Sequence, residues 1–306
     1  MKKNSGLTPA EEISQIRKKL KHFTLDRQTT AWLDTGNKRL NAVLGSAEFG
    51  IPFGKMIELF GPESHGKTML ALLLAALAQG SGAKVAWVDL ENSFDRAWVE
   101  AQGLKYDEVA LFQPQVGRFG SEKEVRLQTS EELLEEVEQW IALRHDEDPA
   151  IQLLVVVDSI AAILTEDEAA GGLTNQNMRT NSSLAMFLSK LLRRWVGMAA
   201  SYNTMMIFIN QIRTTPGAWG NPEYSTGGKA LKFYCSIRAT VRRVKGGRMM
   251  QGRTVGGLRG IVRNIKNKSG GGSVEGAEVG FETKFGKRAW RFPSVQDVKK
   301  ESGEAE

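Results

Sequence analysis

The chain has 306 residues, 41% of them apolar, and a formal net charge of +6. A chain of this size can bury one large hydrophobic core without stabilisation by disulfide bonds. Cys235 is its lone cysteine, which excludes an intrachain disulfide and favours a reducing compartment. No apolar segment follows the N-terminal lysines, and no run of 18 uncharged apolar residues occurs. We therefore expect a cytoplasmic protein with neither a secretory signal nor a membrane span.

A short helical pattern opens the chain. Thr8 is a candidate cap, and Ile13, Ile16 and Leu20 form one apolar stripe over residues 9–21. A helix of this length does not fold alone, and a polar link over residues 26–30 separates it from the rest of the chain. We therefore predict that residues 1–33 form an N-terminal oligomerisation arm. The alternative is a helix that lies on its own core.

Strand and helix patterns alternate through the middle of the chain. Apolar runs typical of strands recur at residues 56–60, 84–90, 109–113, 152–157 and 204–210. Between them, helical periodicity covers residues 69–79, 130–144 and 183–200. This alternation predicts an α/β fold with a mostly parallel central sheet covered by helices on both faces.

From Cys235 onward the pattern changes to strand-like segments separated by glycine turns. These segments, at residues 236–244, 258–266 and 277–283, predict an antiparallel extension of the sheet edge. We predict one core domain over residues 34–286. Residues 287–306 are expected to form a flexible tail.

One segment matches the phosphate-binding pattern G-x-x-x-x-G-K-[ST], and it lies between a predicted strand and a predicted helix as that pattern requires. Its glycines allow backbone amides to surround phosphate oxygens, and the N-terminus of the next helix adds further donors. Lys67 should reach the β and γ phosphates and the Thr68 hydroxyl should ligate Mg²⁺. The sequence therefore predicts binding of ATP and Mg²⁺ by Gly61, Pro62, Glu63, Ser64, His65, Gly66, Lys67, Thr68 and Met69.

Three further polar residues follow predicted strands at the same sheet edge. Asp158 is placed to support the Mg²⁺ ion, and Glu91 is placed to orient and deprotonate the water that attacks the γ phosphate. Gln211 could contact the γ phosphate and change the following segment, residues 212–228. The alternative role for Glu91 is to cap the next helix.

The most basic part of the chain is a tract over residues 224–274, which contains twelve Lys or Arg residues and no Asp or Glu. A tract of one charge sign attracts phosphate backbones and therefore favours nucleic acid. The alternative is that these side chains face outward from ordinary strands.

Taken in order and spacing, the motifs resemble those of the bacterial RecA recombinases over about residues 34–285. They are GPESHGKT at 61–68, VDS at 157–159, NQIR at 210–213, GNPE at 220–223, TGGKALKFY at 226–234 and KNK at 266–268. The resemblance implies a RecA-like ATPase core and a DNA-dependent ATPase. Such a protein forms a helical filament on single-stranded DNA, pairs it with a homologous duplex and exchanges strands.

The same resemblance assigns roles to individual residues. Asp95 and Trp98 would flank the adenine, and Lys266 and Lys268 would reach across the filament interface to a neighbour's ATP. Two DNA-binding loops are implied, at residues 166–181 and 212–228, with Met178 as an apolar finger. Trp219 is a candidate for base stacking or, alternatively, for packing within the loop. The implied DNA contacts are Met178, Arg179, Lys190, Arg213, Trp219, Asn221, Thr226, Gly227 and Gly228.

Several positions depart from the family pattern. His65 lies where serine is usual, Ser183 lies where arginine is usual, and the second loop contains Pro216 and Trp219. After Phe285 nothing resembles the family's C-terminal lobe, and together these departures resemble a phage-encoded or otherwise minimal RecA-like recombinase. The family resemblance also implies single-strand binding protein or a mediator as further partners. The alternative is an accessory RecA-like ATPase that binds DNA or a recombinase without exchanging strands. A ring helicase would need an arginine finger and a partner-binding domain that we do not find.

Overall fold

The computed structural model of the protein describes residues 8, 31–118, 125–171, 178–214, 223–269, 276–286 and 289–303. For residues 170, 171, 178–182, 213, 214 and 223–225 it describes the backbone only. Nearly all of the predicted arm, residues 1–33, lies outside this set, so its role stays a prediction. None of the described helices is long and apolar enough to cross a membrane.

The described helices and strands follow one another in this order. The helices are α1 (Lys38–Leu44), α2 (Lys67–Gly80), α3 (Arg96–Ala101), α4 (Ser130–Glu147), α5 (Glu166–Gly171), α6 (Met178–Ser201), α7 (Ala230–Tyr234) and α8 (Val295–Glu301). The strands are β1 (Trp32–Leu33), β2 (Ile51–Pro52), β3 (Met56–Gly61), β4 (Lys84–Asp89), β5 (Val109–Phe112), β6 (Val116–Gly117), β7 (Arg126–Leu127), β8 (Leu153–Asp158), β9 (Thr204–Thr214), β10 (Glu223–Ser225), β11 (Ile237–Gln251), β12 (Thr254–Asn267), β13 (Glu278–Lys284) and β14 (Trp290–Arg291).

Ten of the described strands form one sheet in the order β14-β13-β12-β11-β3-β9-β8-β4-β5, with β10 paired to β9. The strands from β11 to β5 pair in parallel, whereas β12, β13, β14 and β10 pair antiparallel to their neighbours. The predicted α/β fold with a parallel centre and an antiparallel extension is therefore confirmed. Because parallel strands end at one edge, β3, β4, β8 and β9 bring their C-terminal residues together there.

The core lies on both faces of this sheet. In β8 the side chains of Leu154 and Val156 enter the layer that contains α2, whereas Leu153, Val155 and Val157 enter the layer that contains α4 and α6. All five are buried, and full burial of such a side chain contributes about 1.5–3 kcal/mol. Helices thus pack on both faces of the central strands, and this packing fixes the positions of the residues at the C-terminal edge of the sheet.

The C-terminal segment differs from the flexible tail expected over residues 287–306. It contains β14 and α8, and Val298 on α8 is fully buried. A Cβ atom on Gly280 of β13 would lie 2.4 Å from the Val298 side chain, so the glycine allows α8 to pack directly on the sheet. The prediction was wrong for the described residues because one buried valine, with the Ser294 cap, is enough to dock this helix.

The basic tract also differs from a continuous nucleic-acid surface. Arg238 forms an ion pair with Glu58, Arg259 with Glu282, and Arg263 with Glu278. These glutamates come from β3 and β13, outside the tract itself. Arg263, whose side chain is 57% exposed, fits the alternative of an outward-facing strand residue, whereas Arg238 is buried and fits neither expectation. All three arginines form ion pairs within the sheet.

An Arg238→Ala variant should lose about 3–5 kcal/mol of unfolding free energy, because the carboxylate of Glu58 would stay buried without its cation. Glu58 is 0% and Arg238 7% exposed, so water cannot replace the lost partner. Urea unfolding followed by circular dichroism measures the change. Arg263→Ala is the matched control: its side chain is 57% exposed, and we expect a loss of less than about 1 kcal/mol. Equal losses in the two variants would contradict a special role for the buried pair.

Candidate nucleotide-binding site

The phosphate-binding loop connects β3 to α2 at the C-terminal edge of the sheet. Gly66 precedes α2 with a φ of +94°, a left-handed conformation that favours glycine. Lys67 begins the helix, and its ammonium group donates to the carbonyl of Pro62 over 2.7 Å. Lys67 is 7% exposed, and this burial lowers its pKa although Asp158, Glu91 and Glu63 oppose the shift. A buried cation at a helix N-terminus makes this loop an anion site.

A cavity of about 620 Å³ lies along this loop. Ser64, His65, Gly66, Lys67, Thr68 and Met69 form one side of its lining, together with Trp98 of α3. The sequence did not identify the remaining lining residues, which come from β11, β12 and the residue directly after β13: Arg243, Arg248, Val255, Leu258 and Phe285. Trp98 and Phe285 bring aromatic rings to the cavity, and such rings suit the flat base of a nucleotide.

Asp95 does not line the cavity. Its carboxylate accepts from the backbone amide of Trp98 over 2.8 Å and so caps α3. This cap fixes the first turn of the helix that carries Trp98. The structure therefore places Asp95 next to the predicted adenine site and gives it a structural contact there.

Asp158, the last residue of β8, lies beside the phosphate-binding loop. Burial of this residue, which is 4% exposed, raises the pKa of Asp158 to about 7, while the nearby Thr68 side chain acts in the opposite direction. Glu91 and Asp89 add to this rise. Among the described residues, no three His, Cys, Asp or Glu side chains are grouped to hold a metal ion by themselves. The pair Thr68 and Asp158 nevertheless suits Mg²⁺, which commonly takes one or two protein ligands and completes its shell with phosphate and water.

Glu91 and Gln211 meet at the same edge. The Gln211 side-chain amide lies 3.5 Å from the Glu91 carboxylate, which also accepts a hydrogen bond from the Ser159 hydroxyl. The cap of the following helix is Asp95, so the alternative role considered for Glu91 was wrong. The edge thus groups an exposed carboxylate, a neutral amide and a buried carboxylate around the lysine of the loop.

The sequence matches the family model of the RecA N-terminal domain over residues 13–285. The chain belongs to the RecA family. It is 35% identical to Protein RecA of Geobacter sulfurreducens over 274 residues, which cover 89% of this chain and 72% of that protein. It is 34% identical to Protein RecA of Syntrophus aciditrophicus over 95% of this chain and 79% of that protein. Protein RecA of Colwellia psychrerythraea is 36% identical over 80% of this chain and 63% of its own length.

The two lysines of the RecA-like KNK motif lie away from this chain's own phosphate-binding loop. Lys266 of β12 lies opposite Arg238 of β11, and Arg238 lies opposite Glu58 of β3. Glu58 comes three residues before Gly61, the first residue of the loop. The ammonium group of Lys266 donates to the carbonyls of Lys232, Phe233 and Cys235 at the C-terminal end of α7. Burial and the exposed Lys268 lower the pKa of Lys266. The structure therefore does not bring these lysines to the cavity of the same subunit.

The segments that the RecA resemblance assigns to DNA are described in part. Met178 and Arg179 lie in the first turn of α6, which begins five residues earlier than the predicted helix, and Lys190 is exposed on the same helix. Arg213 lies in β9, which continues to Thr214 and pairs with β10, while Trp219 and Asn221 lie outside the described residues. Within the predicted loop of residues 212–228, strands β9 and β10 therefore form a short ribbon.

Among the described residues of the predicted loop 212–228, Thr226 forms hydrogen bonds to residues at the sheet edge. The side-chain amide of Asn210 donates to the Thr226 carbonyl and to Glu58, both over 3.0 Å, and the Thr226 amide lies 3.4 Å from the Gln211 carbonyl. Gly227 and Gly228 follow, each with a positive φ. The strand that carries Gln211, the candidate γ-phosphate contact, is thus hydrogen-bonded to the residue that precedes this glycine turn.

Proposed function

We propose that this RecA-family ATPase of homologous recombination binds ATP and Mg²⁺ at the edge formed by β3, β4, β8 and β9, and couples ATP hydrolysis to single-stranded DNA. The observation that supports this most strongly is the meeting of Lys67, the Thr68–Asp158 pair and the Glu91–Gln211 pair at one edge. As a member of the RecA family, the chain is a DNA-dependent ATPase that acts in recombination and strand exchange.

Each residue at the edge has one task in this proposal. Lys67 exchanges the Pro62 carbonyl for the β and γ phosphates, while loop amides bind the remaining phosphate oxygens. Thr68 and Asp158 would hold Mg²⁺, which neutralises phosphate charge when bound. Trp98 and Phe285 would enclose the adenine.

Glu91 would orient the attacking water and accept its proton. The hydroxyl of Ser159 holds one carboxylate oxygen, which fixes the direction of the base. Gln211 contacts the same carboxylate and can exchange that contact for a γ-phosphate oxygen. Because Gln211 and Asn210 are bonded to Thr226, a change at the γ phosphate would move the turn of Thr226, Gly227 and Gly228.

We propose that this turn, the N-terminal part of α6 and the residues between β9 and β10 contact DNA. Backbone amides of glycine turns bind phosphates without reading the base, which suits sequence-independent binding. The partners are then single-stranded DNA, a homologous duplex and further copies of this chain, with single-strand binding protein or a mediator as additional ones. We place this work in the cytoplasm of a bacterial cell or of a phage-infected host.

Lys266 and Lys268 would complete the ATP site of a neighbouring subunit, since both lie away from their own. We expect Lys67→Ala and Lys266→Ala proteins each to be nearly inactive as DNA-stimulated ATPases, and an equimolar mixture to recover activity. In the mixture some interfaces combine the intact loop of one subunit with the intact lysines of the other.

The control mixture is Lys266→Ala with the Lys67→Ala, Lys266→Ala double variant, because no interface in it has both intact parts. Phosphate release with single-stranded DNA measures all mixtures, and co-assembly is checked by light scattering. Equal activity in the two mixtures despite co-assembly would argue against a shared site.

A further inference from the structure

The hairpin of β11 and β12 rests directly on the phosphate-binding loop. His65 Nδ1 accepts a hydrogen bond from the backbone amide of Arg243 over 3.1 Å. On the opposite strand, the Leu258 side chain lies 3.7 Å from where a Cβ atom of Gly66 would be. Burial and the nearby Arg243 lower the pKa of His65 to about 4, so the ring stays a neutral acceptor at physiological pH. Both strands of the hairpin are thereby fixed against the loop.

A bulge in β11 separates the two arginines that line the cavity. Arg243 pairs with Gly260 and Arg248 pairs with Leu258, so four residues of β11 lie opposite one residue of β12. A Cβ atom on Gly247 would lie 2.4 Å from the Arg259 carbonyl and 2.8 Å from the Arg243 side chain, so the bulge closes tightly. Bulges commonly redirect side chains beside functional sites. Here Arg248 lines the cavity beside the loop, as Arg243 does.

The cavity carries positive charge only. Its described lining includes Lys67, Arg243 and Arg248 and no carboxylate. Within the described part of the chain neither Arg243 nor Arg248 forms an ion pair, in contrast to Arg238, Arg259 and Arg263 on the same hairpin. Two unneutralised guanidinium groups at an anion site favour a polyanionic ligand, and guanidinium binds phosphate in two-point contacts.

We propose that Arg248, with Arg243 beside it, binds the phosphates of the nucleotide held by its own subunit, so that the hairpin is a second phosphate-binding element. This inference rests on the proposed nucleotide site. A charge-assisted hydrogen bond of this type corresponds to roughly a ten- to hundredfold change in affinity. ATP carries one more negative charge than ADP, so the contact should favour ATP.

Binding of the fluorescent probes mant-ATP and mant-ADP, each with Mg²⁺ and without DNA, tests the proposal by titration. Arg248→Ala should weaken mant-ATP binding roughly ten- to hundredfold and mant-ADP binding less, while Arg248→Lys should recover part of the loss. Arg253→Ala is the matched control, since Arg253 is exposed at the tip of the same hairpin and does not line the cavity. Its affinity should equal that of the parent protein.

Other outcomes distinguish a failure of the Arg248 inference from a failure of the proposed nucleotide site. Parent affinity in a folded Arg248→Ala protein, with weaker binding of a labelled oligonucleotide, would make Arg248 a DNA contact and overturn the inference alone. Equal losses for Arg248→Ala and Arg253→Ala would also overturn it, because a general effect of charge would then suffice. If the parent protein bound neither probe, the proposed nucleotide site would fail and this inference with it. Thermal unfolding of each variant shows that the fold is retained.

Discussion

A Lys67→Ala protein should hydrolyse ATP on the order of 10³-fold more slowly than the parent protein. Other single cations that contact a transferring phosphoryl group change the rate by a factor of this size. Lys67 is the cation fixed within the phosphate-binding loop, and it is already desolvated, so its charge acts strongly on the β and γ phosphates. Phosphate release with saturating single-stranded DNA measures the loss. Lys84→Ala is the matched control, because Lys84 is exposed at the opposite end of β4, and it should keep parent activity. Unchanged turnover in Lys67→Ala would contradict the site.

A Glu91→Gln protein should bind ATP and DNA normally and hydrolyse ATP about 10²–10⁴-fold more slowly. The amide can still accept the hydrogen bond of Ser159, but it cannot take a proton from water. The protein should therefore stay on single-stranded DNA after ATP addition, which fluorescence anisotropy of a labelled oligonucleotide records together with phosphate release.

The control for this variant is Glu100→Gln, which removes a carboxylate from the exposed surface of α3. It should hydrolyse ATP at the parent rate. Near-parent turnover in Glu91→Gln would mean that another group accepts the proton.

The meeting of the candidate site residues at one sheet edge could be predicted because its signals are local. The loop motif follows one strand and begins one helix, Asp158 directly follows a run of apolar residues, and Gln211 follows another such run after Asn210. The parallel order of β3, β9, β8 and β4 then brings these residues together without further information. Local pattern and sheet topology are sufficient for this part of the site.

The cavity wall could not be predicted, since it depends on contacts between distant residues. The bulge in β11 places Arg243 and Arg248 beside a loop about 180 residues earlier, and the backbone amide of Arg243 donates to His65 of that loop. A count of charges in the sequence likewise cannot show that Arg259 and Arg263 form ion pairs with glutamates of β13. Composition identified the tract as basic, and only the fold shows which arginines are neutralised.

Strand exchange tests the central claim most directly. The purified protein, ATP, Mg²⁺, circular single-stranded DNA and a homologous linear duplex are incubated, and joint molecules are separated by gel electrophoresis. We expect joint molecules that require ATP and homology and that are absent with Lys67→Ala. DNA-stimulated ATP hydrolysis without any joint molecules, under conditions where a RecA relative produces them, would contradict the account and indicate an accessory ATPase.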